Sequence, residues 1–379
     1  MIGRILLTIG NRYYKDRMTS GGEFLIMQRV HRSPRYLGSL VRAKLAREAR
    51  PIWVDVCVTN RCHLSCEYCY GDYHHRHDDI GQLKVEQLFA IVDEAAALGT
   101  AVLTLTGGEP MLHKSIGRIV ERAVSRGISV GMVTSGFRVK ERVDELASLS
   151  SIVVSVDGPE PINDLNRGQG TFAVAMAALE ACQARGIPRI VKAVLNRRNK
   201  DQVPWLLELA GRFGARLEVV MTYAPQSDRQ LRMHGDNSLD AGERQALADA
   251  LLDHKRRGAP MVFRERVWEN MARWWQHHGG DRVTREERRE RFEYLPCSAG
   301  RYYAFIDGDG RMYPCNQRLA DFPARSVLEV GVRAAWEHLR DHGCFACAAP
   351  WLNQQHLVSS ERLLARSLGR DLLARVARA

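Results

Sequence analysis

Cys62, Cys66 and Cys69 stand three residues and then two residues apart in the run TNRCHLSCEYCYGDY. A short loop with this spacing can turn three thiolates toward one point, and thiolates are the usual protein ligands of iron-sulfur clusters. Three protein ligands leave one iron of a four-iron cluster open. Structural zinc is the competing chemistry: it closes a tetrahedron with four ligands, and His63, His74, His75 or His77 could be recruited as the fourth.

A second group lies further along. Cys297 and Cys315 flank twelve residues, Gly310 and four more residues, and Cys344 and Cys347 follow as a pair two residues apart. Four thiolates from a hairpin and a knuckle can close an iron-sulfur cluster completely, or hold one zinc. Cys182 falls in the helical pattern LEACQARG and suits packing.

The pattern around these residues is regular. β-Branched runs at 53–58, 101–105, 128–133, 152–156, 189–195 and 216–221 predict strands. Between them, 84–97, 115–125, 140–149, 171–185 and 201–213 carry apolar residues at helical period. Alternating strand and helix predicts a parallel sheet with right-handed crossovers. Six units fall short of a closed eight-stranded barrel, so the predicted fold is α/β, a partial (β/α)6 TIM-like barrel with chemistry at the C-terminal ends of its strands. TNRC, TGGEP, TSG and SVDG each follow a predicted strand, which gathers them on one rim.

After Met221 a polar helical stretch, 238–291, leads to the second cysteine group, where IDGDGRM at 306–312 signals a hairpin. Within that stretch, RVTREERRER at 282–291 mixes charges like a solvated helix. The chain divides accordingly into an N-terminal extension with an amphipathic helix (1–50), the partial barrel (51–235), a helical linker (236–295), a small α+β region around the second cysteine group (296–350) and a C-terminal basic amphipathic helix (351–379), with a loose boundary near Gly235.

The first cysteine loop, with Thr59 and Asn60 before it and Tyr68 before its last cysteine, resembles the signature of the radical S-adenosylmethionine superfamily. The resemblance implies that Cys62, Cys66 and Cys69 hold a 4Fe-4S cluster whose open iron chelates S-adenosylmethionine; electron transfer then breaks a carbon-sulfur bond and yields a deoxyadenosyl radical. It also implies a cofactor bed. Tyr68 belongs to it, as do Gly107, Gly108, Glu109 and Pro110, whose paired glycines would admit a close approach. Ser135 after the third strand, Ser155 and Asp157 in SVDGP, and Arg167 in NDLNRGQGTF complete it, the arginine being suited to pair with the cofactor carboxylate.

The second group resembles the SPASM and twitch extensions of the same superfamily. A full SPASM region needs further cysteines after Cys347 and the sequence has none, so Cys297, Cys315, Cys344 and Cys347 fit the shorter twitch form with one auxiliary 4Fe-4S cluster. Fully ligated, such a cluster would accept or relay an electron, or serve structure alone. Relatives of this kind mature ribosomally made peptides or dehydrogenate small alcohols. Cys57, on the first strand, is the candidate catalytic hydrogen donor for an epimerisation, with core packing as its other reading. Lys192, Glu218 and Tyr223, near strand ends, read as structural or surface residues.

Lys and Arg number 55 against 44 Asp and Glu, and the net charge of +11 suits an anionic substrate, an anionic membrane or nucleic acid. No nucleic-acid module is recognisable, which sets that partner aside. No apolar run reaches the roughly 18 residues that span a bilayer, the N-terminus lacks a signal-cleavage pattern, and clustered unpaired cysteines suit the reducing cytoplasm. Leu37, Leu40, Val41 and Leu45 share a helical face beside Arg35, Arg42, Lys44 and Arg47, as do Leu364, Leu368, Leu372 and Val376 beside Arg366, Arg370 and Arg375. Such helices lie peripherally on an anionic membrane or pack on the protein itself. Residues 1–50 are too few for the winged-helix leader-peptide module of peptide-modifying relatives. The sequence thus favours net oxidation of a small-molecule or lipid-linked substrate, with a peptide substrate, cross-linked or epimerised, as the alternative and a non-catalytic zinc module as a third reading. An external reductant such as flavodoxin or ferredoxin would supply the initiating electron.

Overall fold

The computed structural model describes residues 33–71, 82–223, 237–289 and 291–359. After a first helix α1 (Pro34–Leu45), the chain alternates β1 (Trp53–Thr59), α2 (Val85–Ala97), β2 (Val102–Gly107), α3 (Ile116–Ser125), β3 (Ser129–Thr134), β4 (Ser151–Ser155), α4 (Glu160–Arg167), α5 (Thr171–Ala184), β5 (Arg189–Leu195), α6 (Val203–Arg212) and β6 (Arg216–Met221). Strands β1 to β6 pair in parallel in sequence order, as a partial barrel requires. The helices cover its outside. In α3, for example, Ile116, Ile119, Val120 and Ala123 recur at helical spacing and are all buried against the core.

Two predicted elements differ. Residues 140–149 form turns and a short 3-10 helix, Val143–Leu146, rather than an α-helix. Gly136 and Arg138 carry positive φ angles of 98° and 55°, so the chain is already turning, and Arg142 ties the segment down by donating to the carbonyls of Met111 and Lys114 at 2.9 and 3.0 Å. The 282–291 segment begins not as a helix but as strand β7 (Arg282–Thr284), because Val283 is buried and pairs with a strand of the second cysteine group.

Helices α7 (Ala241–Arg256) and α8 (Glu265–His277) precede that strand. Beyond it come β8 (Tyr303–Ile306), β9 (Arg311–Tyr313), β10 (Arg325–Ser326), α9 (Val327–His338), β11 (Cys344–Cys347) and α10 (Pro350–Ser359). The predicted hairpin is present: β8 and β9 run antiparallel, with Gly310 at φ 82° in the turn. The C-terminal region does not stand apart from the barrel. β8 pairs in parallel with β1, from Trp53 opposite Tyr303 to Val56 opposite Ile306, so that nine described strands form one sheet in the order β10-β9-β8-β1-β2-β3-β4-β5-β6.

Helix α1 spends its apolar face on the protein. Tyr36, Leu40 and Ala43 are buried with Ile52, Ala101, Val102, Tyr302 and Val358, and Arg35 donates to the Thr100 carbonyl at 3.0 Å; Leu45 remains exposed. The basic helix expected at 364–376, the boundary near Gly235, and His74, His75 and His77 lie outside the described residues. Among the described residues no helix is long and apolar enough to cross a membrane.

Candidate active site

The barrel encloses a cavity of about 280 Å³. Cys62, Cys66 and Cys69 border it from the loop after β1, together with Tyr68, Gly107, Gly108, Ser135, Ser155 and Arg167. Sequence-predicted residues from four strand ends therefore meet at one opening.

The loop is docked by backbone. Gly108 N–H donates to the Thr59 carbonyl and Glu109 N–H to the Arg61 carbonyl, both at 2.9 Å. A Cβ on Gly107 would lie 2.4 Å from the Thr59 oxygen, and one on Gly108 2.2 Å from the Arg61 oxygen. The paired glycines thus let the cysteine loop press onto the end of β2, a reason the sequence reading did not supply.

Glu109 and Pro110, expected in the cofactor bed, are buried behind it and do not line the cavity. The Glu109 carboxylate accepts from Thr134 Oγ1 at 2.7 Å, Ser135 N at 2.8 Å and Ser135 Oγ at 2.6 Å. Burial pushes its pKa up, against these bonds. Ser135 thus gives its hydroxyl proton to Glu109, where a bond to the cofactor was expected.

Asp157 likewise stands behind the cavity wall. It accepts from the Tyr68 hydroxyl, from Arg167 Nη2 at 3.0 Å and from Val194 N at 3.0 Å, and Arg167 Nε lies 2.9 Å from its other oxygen. The Arg167 guanidinium also lies 5.5 Å from the centre of the Tyr68 ring. Asp157 positions Tyr68 and Arg167, and these two face the cavity.

Cys57, the candidate hydrogen donor, is not among the residues that line the cavity. Trp53 and Asp55 line the cavity, and period-two alternation along β1 would bring Cys57 inward as well. Its sulfur instead lies 3.2 Å from both the Thr59 carbonyl and Asn60 Oδ1, at a register shift in β1, and would sit 2.7 Å from a Cβ on Gly107. It is fully buried and does not line the cavity, an arrangement that matches the core-packing reading of this residue. Cys182 is buried in α5 as expected.

The lumen also carries groups that sequence reasoning passed over. Lys192 and Glu218, read as structural or surface residues, line the cavity and pair at 2.7 Å on adjacent strands. Asp55 accepts from Trp53 Nε1 at 2.9 Å and from the Tyr303 hydroxyl at 2.7 Å. Burial pushes its carboxyl above the ordinary range, with Tyr303, Thr104, Trp53 and Lys192 pulling the other way. The available signal was a charged residue at an alternate position in each of three apolar strands.

The second group also converges. Cys297, Cys315, Cys344 and Cys347 ring a small cavity with Arg282, Arg318 and His342. Trp53, Tyr303 and Trp351 border the barrel cavity and also pack in the cluster that contains Cys315 and Cys347. These aromatic rings are shared between the two sites.

Both sets of thiols are chemically suited to a metal centre. Burial pushes Cys62, Cys66 and Cys297 up to about 12 and raises Cys315 and Cys347 as well; such thiols gain most from a metal that deprotonates them outright. Among the described residues no three His, Cys, Asp or Glu side chains are gathered as one metal ion requires.

The Radical SAM superfamily model matches residues 56–210. The sporulation killing factor maturation protein SkfB of Bacillus subtilis (strain 168) is 28% identical over 286 residues, which cover 74% of this chain and 63% of SkfB. The mycofactocin maturase MftC of Mycolicibacterium smegmatis is 27% identical over 307 residues, 76% of this chain and 70% of MftC. The chain therefore spans just under two thirds of the one relative and slightly more of the other. Streptococcus suis SuiB, solved bound to its precursor peptide SuiA, superposes with a TM-score of 0.60 over 88% of this chain and 76% of SuiB; at 15% identity that likeness shows the fold. With the cysteine loop and the glycine-rich turn both inside the matched segment and the parallel strands in order, residues 56–210 form a Radical SAM domain.

Proposed function

We propose that this chain modifies a peptide by a radical reaction that removes two hydrogens and leaves a cross-link, double bond or carbonyl. A Radical SAM domain implies a 4Fe-4S cluster and S-adenosylmethionine, which together supply a deoxyadenosyl radical that takes a hydrogen atom from the substrate. Cys62, Cys66 and Cys69 would hold that cluster, with Tyr68, Gly107, Gly108, Ser135, Ser155 and Arg167 bordering the cofactor. The observation that carries the peptide reading is the set of relatives: SkfB is a maturation protein, MftC a maturase, and SuiB binds a precursor peptide. The preference for a lipid-linked substrate rested partly on the amphipathic ends, and α1 uses its apolar face internally.

After hydrogen abstraction the substrate must lose one proton and one electron. Asp55 is the carboxylate suited to take the proton, since it faces the lumen and is held in place by Tyr303 and Trp53. Cys297, Cys315, Cys344 and Cys347 would hold an auxiliary 4Fe-4S cluster able to accept an electron, and Trp53, Tyr303 and Trp351 pack between that site and the lumen. A flavodoxin- or ferredoxin-type reductant would supply the separate electron that starts each turnover.

Anaerobic reconstitution tests the first layer: about eight irons per chain and cleavage of S-adenosylmethionine are expected, whereas two zincs without cleavage would end the enzyme reading. Co-expression with short peptides encoded beside the gene, followed by mass spectrometry, tests the second. A peptide lighter by two hydrogens is expected. Loss of two hydrogens from a small metabolite, with every peptide unchanged, would return the substrate to the small-molecule class.

A further inference from the structure

Arg318 stands among the four C-terminal thiols. It ends the short 3-10 turn Asn316–Arg318 that follows Cys315, and its backbone N–H donates to the Cys315 carbonyl at 3.1 Å. The side chain turns back over the quartet. Nη1 donates to Cys344 Sγ at 3.0 Å and to the His342 carbonyl, while Nε donates to Asp321 Oδ1 at 2.6 Å. Only 14% of it is exposed. Three acceptors therefore fix one guanidinium against a sulfur, a use of the planar fork that lysine cannot copy.

Among the described residues lining the quartet, Arg318 is the cation that bonds a sulfur directly. Arg282 turns to Asp321 at 2.5 Å. His342 faces the Cys344 N–H through Nδ1 at 3.3 Å and the Ala299 carbonyl through Nε2 at 3.0 Å, so both ring nitrogens are engaged by backbone. A guanidinium donor gains little from a neutral thiol and much more from a thiolate, where the bond is charge-assisted. In iron-sulfur proteins the reduction potential follows net charge and hydrogen bonds to the sulfurs. An added electron makes the cluster and its thiolates more negative, so a cationic donor on one sulfur stabilises the reduced form more than the oxidised form.

We propose that Arg318 tunes the C-terminal site for electron acceptance by holding a charge-assisted hydrogen bond on the Cys344 thiolate. The inference rests on the reading that Cys297, Cys315, Cys344 and Cys347 hold an iron-sulfur cluster. Arg318 touches neither substrate nor cofactor in this role; it acts through a ligand sulfur as a positioning residue.

The test uses the full chain carrying Cys62→Ala, Cys66→Ala and Cys69→Ala, so that only the C-terminal quartet can take iron. After anaerobic reconstitution, iron content, thermal melting and the midpoint potential are measured with Arg318 intact and as Arg318→Gln and Arg318→Lys. About four irons per chain are expected with Arg318 intact. Arg318→Gln should weaken electron acceptance at least tenfold, a fall of about 59 mV for a one-electron couple. Arg318→Lys should give a smaller fall in the same direction. An unchanged potential in an iron-loaded, folded Arg318→Gln protein overturns the role of Arg318 while leaving the cluster standing. Should that variant fail to load, the lysine variant decides, and a midpoint equal to or above that of the parent overturns the proposal. Zinc, or no metal, in the parent overturns the cluster reading beneath it.

Discussion

Asp157 receives the Arg167 guanidinium at both oxygens, at 2.9 and 3.0 Å, with the carboxylate fully buried and the arginine only 8% exposed. Removing one partner of such a pair strands the other charge in a poorly solvated place, at a cost of about 3–5 kcal/mol. Asp157→Asn should therefore lower the unfolding free energy by roughly 3 kcal/mol in urea titration. A loss below about 1 kcal/mol, the range of exposed pairs, would show that the pair is solvated after all.

Gly108→Ala should act on the cysteine loop without touching a cysteine. The new Cβ meets the Arg61 carbonyl at 2.2 Å, and backbone cannot yield as a flexible side chain can. Reconstituted iron should fall from about eight to about four per chain, the remainder belonging to the C-terminal quartet. Full iron loading would mean that the loop finds another way to dock.

Asp55→Asn should separate the two halves of the proposed reaction. The amide keeps the shape and can still accept from Tyr303, but it cannot take a proton at neutral pH. Deoxyadenosine should still form with the peptide substrate, while modified product falls at least tenfold, about 1.4 kcal/mol or more in the barrier. Equal loss of both by chromatography would assign Asp55 to binding rather than proton transfer.

Cys57→Ala should leave turnover intact, because the thiol is packed under Gly107 and away from the cavity. Stability should drop by about 1 kcal/mol, the ordinary cost of a small core truncation. Abolished turnover in a folded, iron-replete variant would restore the hydrogen-donor role.

Lys255 offers a pH signature remote from the metal sites. Burial, with Arg216 close by, pulls its ammonium from 10.5 down to about 8, and both cations donate to the Met261 carbonyl. Between pH 8 and 10.5 the unfolded chain binds more protons at this site, so its contribution to stability rises with pH across that window and is flat beyond it. Lys255→Met should remove that rise and gain most below pH 8. Parallel stability curves for the two proteins, by chemical denaturation from pH 7 to 10.5, would contradict this.

The Radical SAM signature was legible in the sequence because cysteine spacing is local and rare. The six barrel strands were legible because β-branched runs bounded by turn residues leave few alternatives. The lumen was not. Strands in a parallel sheet are buried on both faces, so Asp55, Lys192 and Glu218 looked like isolated charges until the curvature of the sheet brought them to one side. Residues 140–149 misled because Val139, Val143, Leu146 and Leu149 are all buried at spacings that helix and successive turns share. Strand β7 was hidden by its three-residue length and its charged neighbours. The glycine pair was located correctly, but its steric reason lies in carbonyls some fifty residues earlier in the chain.

The parallel pairing of β8 with β1 bears on how the protein can be handled and divided. A fragment ending after β6 would expose β1 as a free edge, four residues of unmet backbone donors and acceptors beside the loop that carries Cys62. Open edges of this kind recruit strands from other molecules. The C-terminal hairpin is therefore also a seal. The barrel should aggregate when expressed without it, and insertions tolerated elsewhere at the surface should fail at this seam.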